Sequence, residues 1–400
     1  MTNFDARSLP YHPLQSDDDA SIEEVMAVRT RASLGWGALQ GRLTHVTPEV
    51  AHHFCCSLIR LTLVDALAQT GFPGAVTWFS SWFSGLEPVP GSTVHAAAPA
   101  SLVAGTLLSE LSLSHWGPLA DAAAQIRAAA RFDRGDGRHA PSPAPSFAIE
   151  QAAKLAELLP NEPDEVWPLV ALDHLHAEAA RSPHFAQAER EPRLIGLPSG
   201  PVTIEQTIRA MPLWALDLVA MPAIARSHPG TRPLPFPGAV RAEALRPELW
   251  PRERAILVAE AAGKAVRRLT DLFDTSCSSV QTMKVAAAGL RSTSRAPTLY
   301  RILFGFGPLR PIQIEQALGV SKNGVRDLVA ALIKAGLAEM TTHRHQVVVR
   351  ATQPQHAPDC TPALPDASEV IPDAAFAAFD TAMADIDRLL ARSNTSIAEE

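Results

Sequence analysis

Lys322, Asn323, Arg326 and Asp327 lie close together in the chain, and their types suit hydrogen bonding to the edges of nucleic-acid bases. A guanidinium can bond guanine through two donors, and an Asn amide can pair with adenine. Arg310, Ser321, Lys334 and Arg344 flank that set with donors suited to phosphate oxygens. The other candidates for chemistry are poorer. His52-His53-Phe54-Cys55-Cys56 offers imidazole and thiol groups that bind zinc, but it falls inside a predicted helix and no second ligand pair follows. Asp173-His174-Leu175-His176 also sits in a helical run, where positions i and i+2 do not share a face; surface histidines are expected there. Cys277, beside Ser276, Ser278 and Ser279, has no nearby base. The chain has no Walker loop, no dinucleotide-binding glycine fingerprint and no nucleophile elbow. These residue types predict no catalysis, no cofactor and no metal, so an enzyme is not expected.

The elements that must position the first set can be read locally. Thr298–Phe304 should form a short helix ended by Gly305 and Gly307. Pro311 opens a second helix to Leu318, with Ile314 and Leu318 inward. In Gly319-Val320-Ser321 the glycine takes the tight turn, Val320 plugs the core and Ser321 caps the next helix. That helix, Lys322–Ala335, carries Val325, Leu328, Val329 and Leu332 on one face. Asn323, Arg326 and Asp327 lie opposite, with Lys322 on the flank. Gly336 ends it. Leu337–Thr341 and Gln346–Arg350 then alternate as strands around Thr342–His345, with Arg344 near the tip.

Over about fifty-five residues, 294–350 resembles the winged helix-turn-helix superfamily. The resemblance implies that the helix over Lys322–Ala335 enters the major groove of double-stranded DNA and that the wing reaches the backbone. The overall layout also resembles a group of uncharacterised alphaproteobacterial, often plasmid-borne, proteins with a helical N-terminal body and a C-terminal helix-turn-helix. That likeness implies cytoplasmic DNA binding tied to gene regulation or plasmid maintenance.

Charge supports the same segment. The chain carries a net −7, yet residues 291–350 hold nine Lys/Arg against three Asp/Glu. Residues 351–400 hold two against nine. A local basic island suits a polyanionic partner even when the whole chain is acidic.

The rest of the sequence predicts a mainly α protein. Residues 1–20 read as a disordered tail and 21–240 as a helical body. Within the body, helices are expected from Ser21 to about Leu34, from Pro48 to Gln69, over Leu102–Leu113 and Leu119–Arg131, over Phe147–Leu159 and Pro163–Ala180, and over Val202–Ile224. Trp78, Phe79, Trp82 and Phe83 should be core. Residues 133–146 read as a linker, 181–201 as irregular and 227–238 as an extended connector. Strands are expected to be nearly absent outside the wing, which argues against the common α/β enzyme folds. Ala259, Ala262, Val266, Leu269, Phe273, Ser276, Val280, Met283, Ala287 and Leu290 repeat at alternating spacings of three and four, which predicts one long helix over 248–292. Its seam suits either the core of the body or a dimer contact. After a linker at 353–373, Phe376, Phe379, Met383, Ile386 and Leu390 mark an amphipathic helix over 374–393 whose acidic flanks could shield the basic island.

No signal peptide precedes the body, no apolar run is long enough to span a bilayer, and four cysteines with Cys55 and Cys56 adjacent suit a reducing compartment. The expectation is therefore a cytoplasmic, sequence-specific DNA-binding protein without a membrane partner, acting as a homodimer in transcriptional regulation or plasmid maintenance. The competing expectation is a protein-interaction scaffold, or a helical enzyme, that uses the same module for docking.

Overall fold

The computed structural model describes residues 22–90, 98–132, 145–159, 167–185, 190–197, 200–207, 211–228, 230–286 and 294–352. The expected tail, the linker after residue 352 and the helix at 374–393 lie outside them. In chain order the helices are α1 (Ile22–Thr44), α2 (Pro48–Gln69), α3 (Ala75–Phe83), α4 (Ala100–Leu111), α5 (Gly117–Ala129), α6 (Pro145–Glu157) and α7 (Val170–Arg181). A hairpin of β1 (Arg190–Leu197) and β2 (Gly200–Thr207) comes next, then α8 (Leu213–Ser227), a 3-10 turn at Ala242–Leu245 and α9 (Pro251–Ala286). The segment ends with α10 (Ala296–Gly305), α11 (Pro311–Leu318), α12 (Lys322–Lys334) and a hairpin of β3 (Ala338–His343) and β4 (Gln346–Ala351). The protein is mainly helical, as composition and periodicity predict.

The centre of the core is α2. Thr47 caps its start by accepting from Val50 N at 3.5 Å, and Pro48 supplies a preset φ at the first turn. Its residues are apolar around most of the circumference: Phe54, Cys55, Cys56, Leu58, Ile59, Leu63, Ala66 and Leu67 are all buried. A helix apolar on every side must be covered on every side, and α3, α4, α5, α8, α9 and α10 all pack against this one. Among the described residues α2 alone has the length and apolarity to cross a membrane, and most of it is buried inside the protein.

α9 runs beside α1. Ala32 faces Gly263, Gly35 faces Val266 and Arg42 pairs with Asp274, so partner numbers rise together and the two helices are parallel. A Cβ on Gly35 would sit 3.1 Å from Val266 Cγ1, so the missing side chain sets how closely the pair approaches. The seam residues from Ala259 to Met283 are buried against α1 and α2; Ala287 and Leu290 lie outside the described residues. Arg42 also lies over the Phe273 ring at 4.6 Å.

Three expectations need correction. α1 continues to Thr44, well past Leu34, because Trp36, Leu39 and Leu43 find a surface on the body. α7 is Val170–Arg181, and residues 167–169 before it are not helical; the expected start at Pro163 lies outside the described residues. The stretch read as irregular chain and then helix contains the β1–β2 hairpin, with Leu197 opposite Gly200 and Arg190 opposite Thr207, and the helix begins only at Leu213. Val202, Thr203 and Ile204 favour extended backbone. Pro192 and Pro201 are tolerated because a two-stranded hairpin consists only of edges.

Candidate nucleic-acid interface

Residues 294–352 build a three-helix unit closed by a hairpin. Leu299, Tyr300, Ile302 and Leu303 of α10 are buried. Leu309 forms an isolated antiparallel bridge with Val349 of β4, bonded both ways at 3.0 and 2.8 Å, which ties the entry to α11 onto the hairpin. Gly319 ends α11 in the left-handed region at φ 59°, ψ 42°. Ser321 Oγ then accepts from Gly324 N at 3.2 Å and caps α12. Val325, Val329 and Leu332 face the core, Leu328 is half-buried, and Val320 only leans on the core instead of plugging it.

This arrangement turns Lys322, Asn323, Arg326 and Asp327 to solvent together, with Ser321 and Lys334 also exposed. Among the described residues, Lys322, Arg326 and Lys334 have no ion-pair partner, whereas most other cations of the segment do have company. Arg295 donates to the Leu318 carbonyl, Arg301 to Thr298 Oγ1, and Arg350 pairs with Glu339 across the hairpin. The basic island thus resolves into three open charges on one helix.

Two expected backbone contacts are differently placed. Arg310 is half-buried and turned to the body, with Nη1 donating to Ser84 O at 3.3 Å. Arg344 is exposed but meets Glu87 Oε1 at 3.2 Å, and His343 Nε2 reaches the same oxygen at 3.1 Å. The tip of the hairpin is the pair Arg344-His345, at φ 46° and 64°, a tighter turn than Thr342–His345. Glu87, an isolated acid between α3 and α4, gave no sequence signal of this role.

The unit is seated on the body. α10 packs on α2 so closely that a Cβ on Gly305 would come within 2.9 Å of Cys56 Cβ and His53 O. α11 packs on α5, where buried Gln313 donates to Phe83 O at 3.2 Å and Ala129 O at 2.8 Å while its Oε1 accepts from Arg310 N at 2.9 Å. Gln313 was also missed, since a lone Gln in a helix carries no pattern.

The alternative chemical clusters sit in the core. His53 is fully buried; its Nδ1 lies 3.0 Å from Ser276 Oγ, which itself donates to Leu272 O, and burial lowers its pKa to about 4. His52 Nε2 meets Gln125 Oε1 at 3.0 Å, and burial pushes the Cys56 thiol up to about 12, so it stays protonated. His174 is exposed while His176, expected at the surface, is fully buried: Nδ1 bonds Leu172 O at 2.7 Å and Nε2 accepts from Arg241 N at 3.4 Å. Among the described residues no group of three or more His, Cys, Asp or Glu side chains could hold a metal. No protein-family model matches the chain, and no curated protein matches it.

Proposed function

We propose that residues 294–352 are a winged helix-turn-helix that binds double-stranded DNA in a sequence-specific way, with α12 as the major-groove helix and β3–β4 as the wing. The observation that carries this reading is the outward face of α12: Lys322, Asn323, Arg326 and Asp327 are exposed together at its capped N-terminal end, and the two cations have no acidic partner among the described residues. The order helix, bridging residue, helix, tight turn, helix, hairpin supports it. In this proposal the protein acts as a homodimer in gene regulation or plasmid maintenance, and the body sets the spacing of two readers.

The test is selection of bound fragments from a random DNA pool, followed by titration of the recovered site. Enrichment of an inverted repeat supports both sequence reading and a dimer. Arg326→Ala should weaken binding to that site about tenfold to a hundredfold, the worth of a lost bidentate base contact. Arg344→Ala should cost less, since Glu87 competes with phosphate for its guanidinium. Failure to enrich any sequence would reject sequence-specific reading and favour a docking role for the module.

A further inference from the structure

A cleft of about 830 Å³ opens where the body meets the N-terminal end of α11. Its described lining includes Gly85, Leu108, Ser109, Phe132 and three arginines: Arg127 of α5, Arg131 just after it and Arg310, the residue that caps α11. No carboxylate is among them. A guanidinium carries five N–H donors. Arg131 spends one on Gln316 Oε1 at 3.0 Å, and Arg310 spends one on Ser84 O. Arg127 has no hydrogen bond or ion pair among the described residues and is exposed at the cleft.

The rest of the wall is compatible with a small molecule. Phe132 is half-buried and stacked on Trp82 at 4.9 Å and 19°, which fixes its ring beside Leu108. Ser109 adds a hydroxyl. Gly85 has φ 65°, and a Cβ there would come within 2.7 Å of Arg131 O, so the rim can close only with glycine at that position. Volumes of a few hundred to about a thousand Å³ are typical of small-ligand sites.

We infer that this cleft binds a phosphorylated small molecule, its phosphate oxygens held by Arg127, Arg131 and Arg310 and its less polar part lying against Phe132 and Leu108. Forked guanidinium donors match phosphate geometry in a way that a single ammonium does not. Such a ligand bridges body and C-terminal unit, because Arg310 belongs to the latter and the other two arginines to the former.

Calorimetric titration of the full-length protein with sodium pyrophosphate, at constant ionic strength set by potassium chloride, tests the assignment. Saturable one-site binding is expected, weakened about tenfold by Arg127→Ala and about a hundredfold by the Arg127→Ala, Arg131→Ala double variant. Both side chains are exposed, so unchanged melting temperatures of the unliganded variants will show that the fold is kept. Absence of saturable binding, or equal binding by wild type and variants, overturns the inference. The titration contains no DNA, so its outcome is separate from that of the nucleic-acid proposal.

Discussion

Asp217 is buried, and its carboxylate accepts from Gly238 N and Val240 N at 2.8 Å each and from Gln69 Nε2 at 3.3 Å. Burial still lifts its pKa to about 7, with Asp65 adding to the rise against those hydrogen bonds. A carboxyl held above its unfolded value retains its proton more readily when folded, so its contribution is full at low pH and is lost as pH climbs to about 7. Asp173 acts in the same sense, raised to about 6 by burial despite its pair with Arg29. His53 and His176 act the other way. Burial lowers both to about 4, with Arg301 and His52 near the first and Arg254 near the second, so the stability they confer is full above about pH 6.5 and is lost as pH falls toward 4. The two pairs offset each other across that window. Asp217→Asn removes the larger part of one side of the balance, and the variant should lose about 2 kcal/mol more than wild type between about pH 7.5 and about pH 5, measured by urea unfolding. None of this was legible in the sequence, where Asp217 is one acid in an apolar helix and His176 read as a surface residue.

At the scale of elements, legibility followed locality. The starts of α2, α11 and α12 were readable because Thr47-Pro48, Pro311 and Ser321 act on their own turns. The end of α1 was not, because it is distant chain, the surface of α9 and at Trp36 the ring of His228 after α8, that keeps this stretch helical. The β1–β2 hairpin was missed because its apolar residues also fit helical spacing and its partner strand is what decides. The outward set on α12 was legible from a 3.6-residue period alone, whereas the inward turn of Arg310 and the grip of Glu87 on Arg344 depend on distant chain. The second hairpin carries a local cost. Arg344 and His345 both hold positive φ, which side chains with a Cβ resist and glycine does not. His345→Gly should therefore stabilise the protein by about 0.5–1 kcal/mol in chemical denaturation, unless its side chain contributes contacts of equal worth.

At the scale of the molecule, the described residues between 22 and 352 share one hydrophobic core that runs from α1 through α2 into α10, α11 and β4. The sequence suggested a body and a reader joined by a long helix; what it could not show is that α2 touches both. The close seat of Gly305 on Cys56 and His53, and the two bonds from Gln313 to Phe83 and Ala129, have a consequence for a severed chain. A single protease cut engineered between residues 286 and 294 should leave two pieces that elute together on size exclusion in native buffer and separate only in denaturant. The peptide link there would then serve delivery during folding more than retention afterwards, much as a threaded bolt needs no string once it is home.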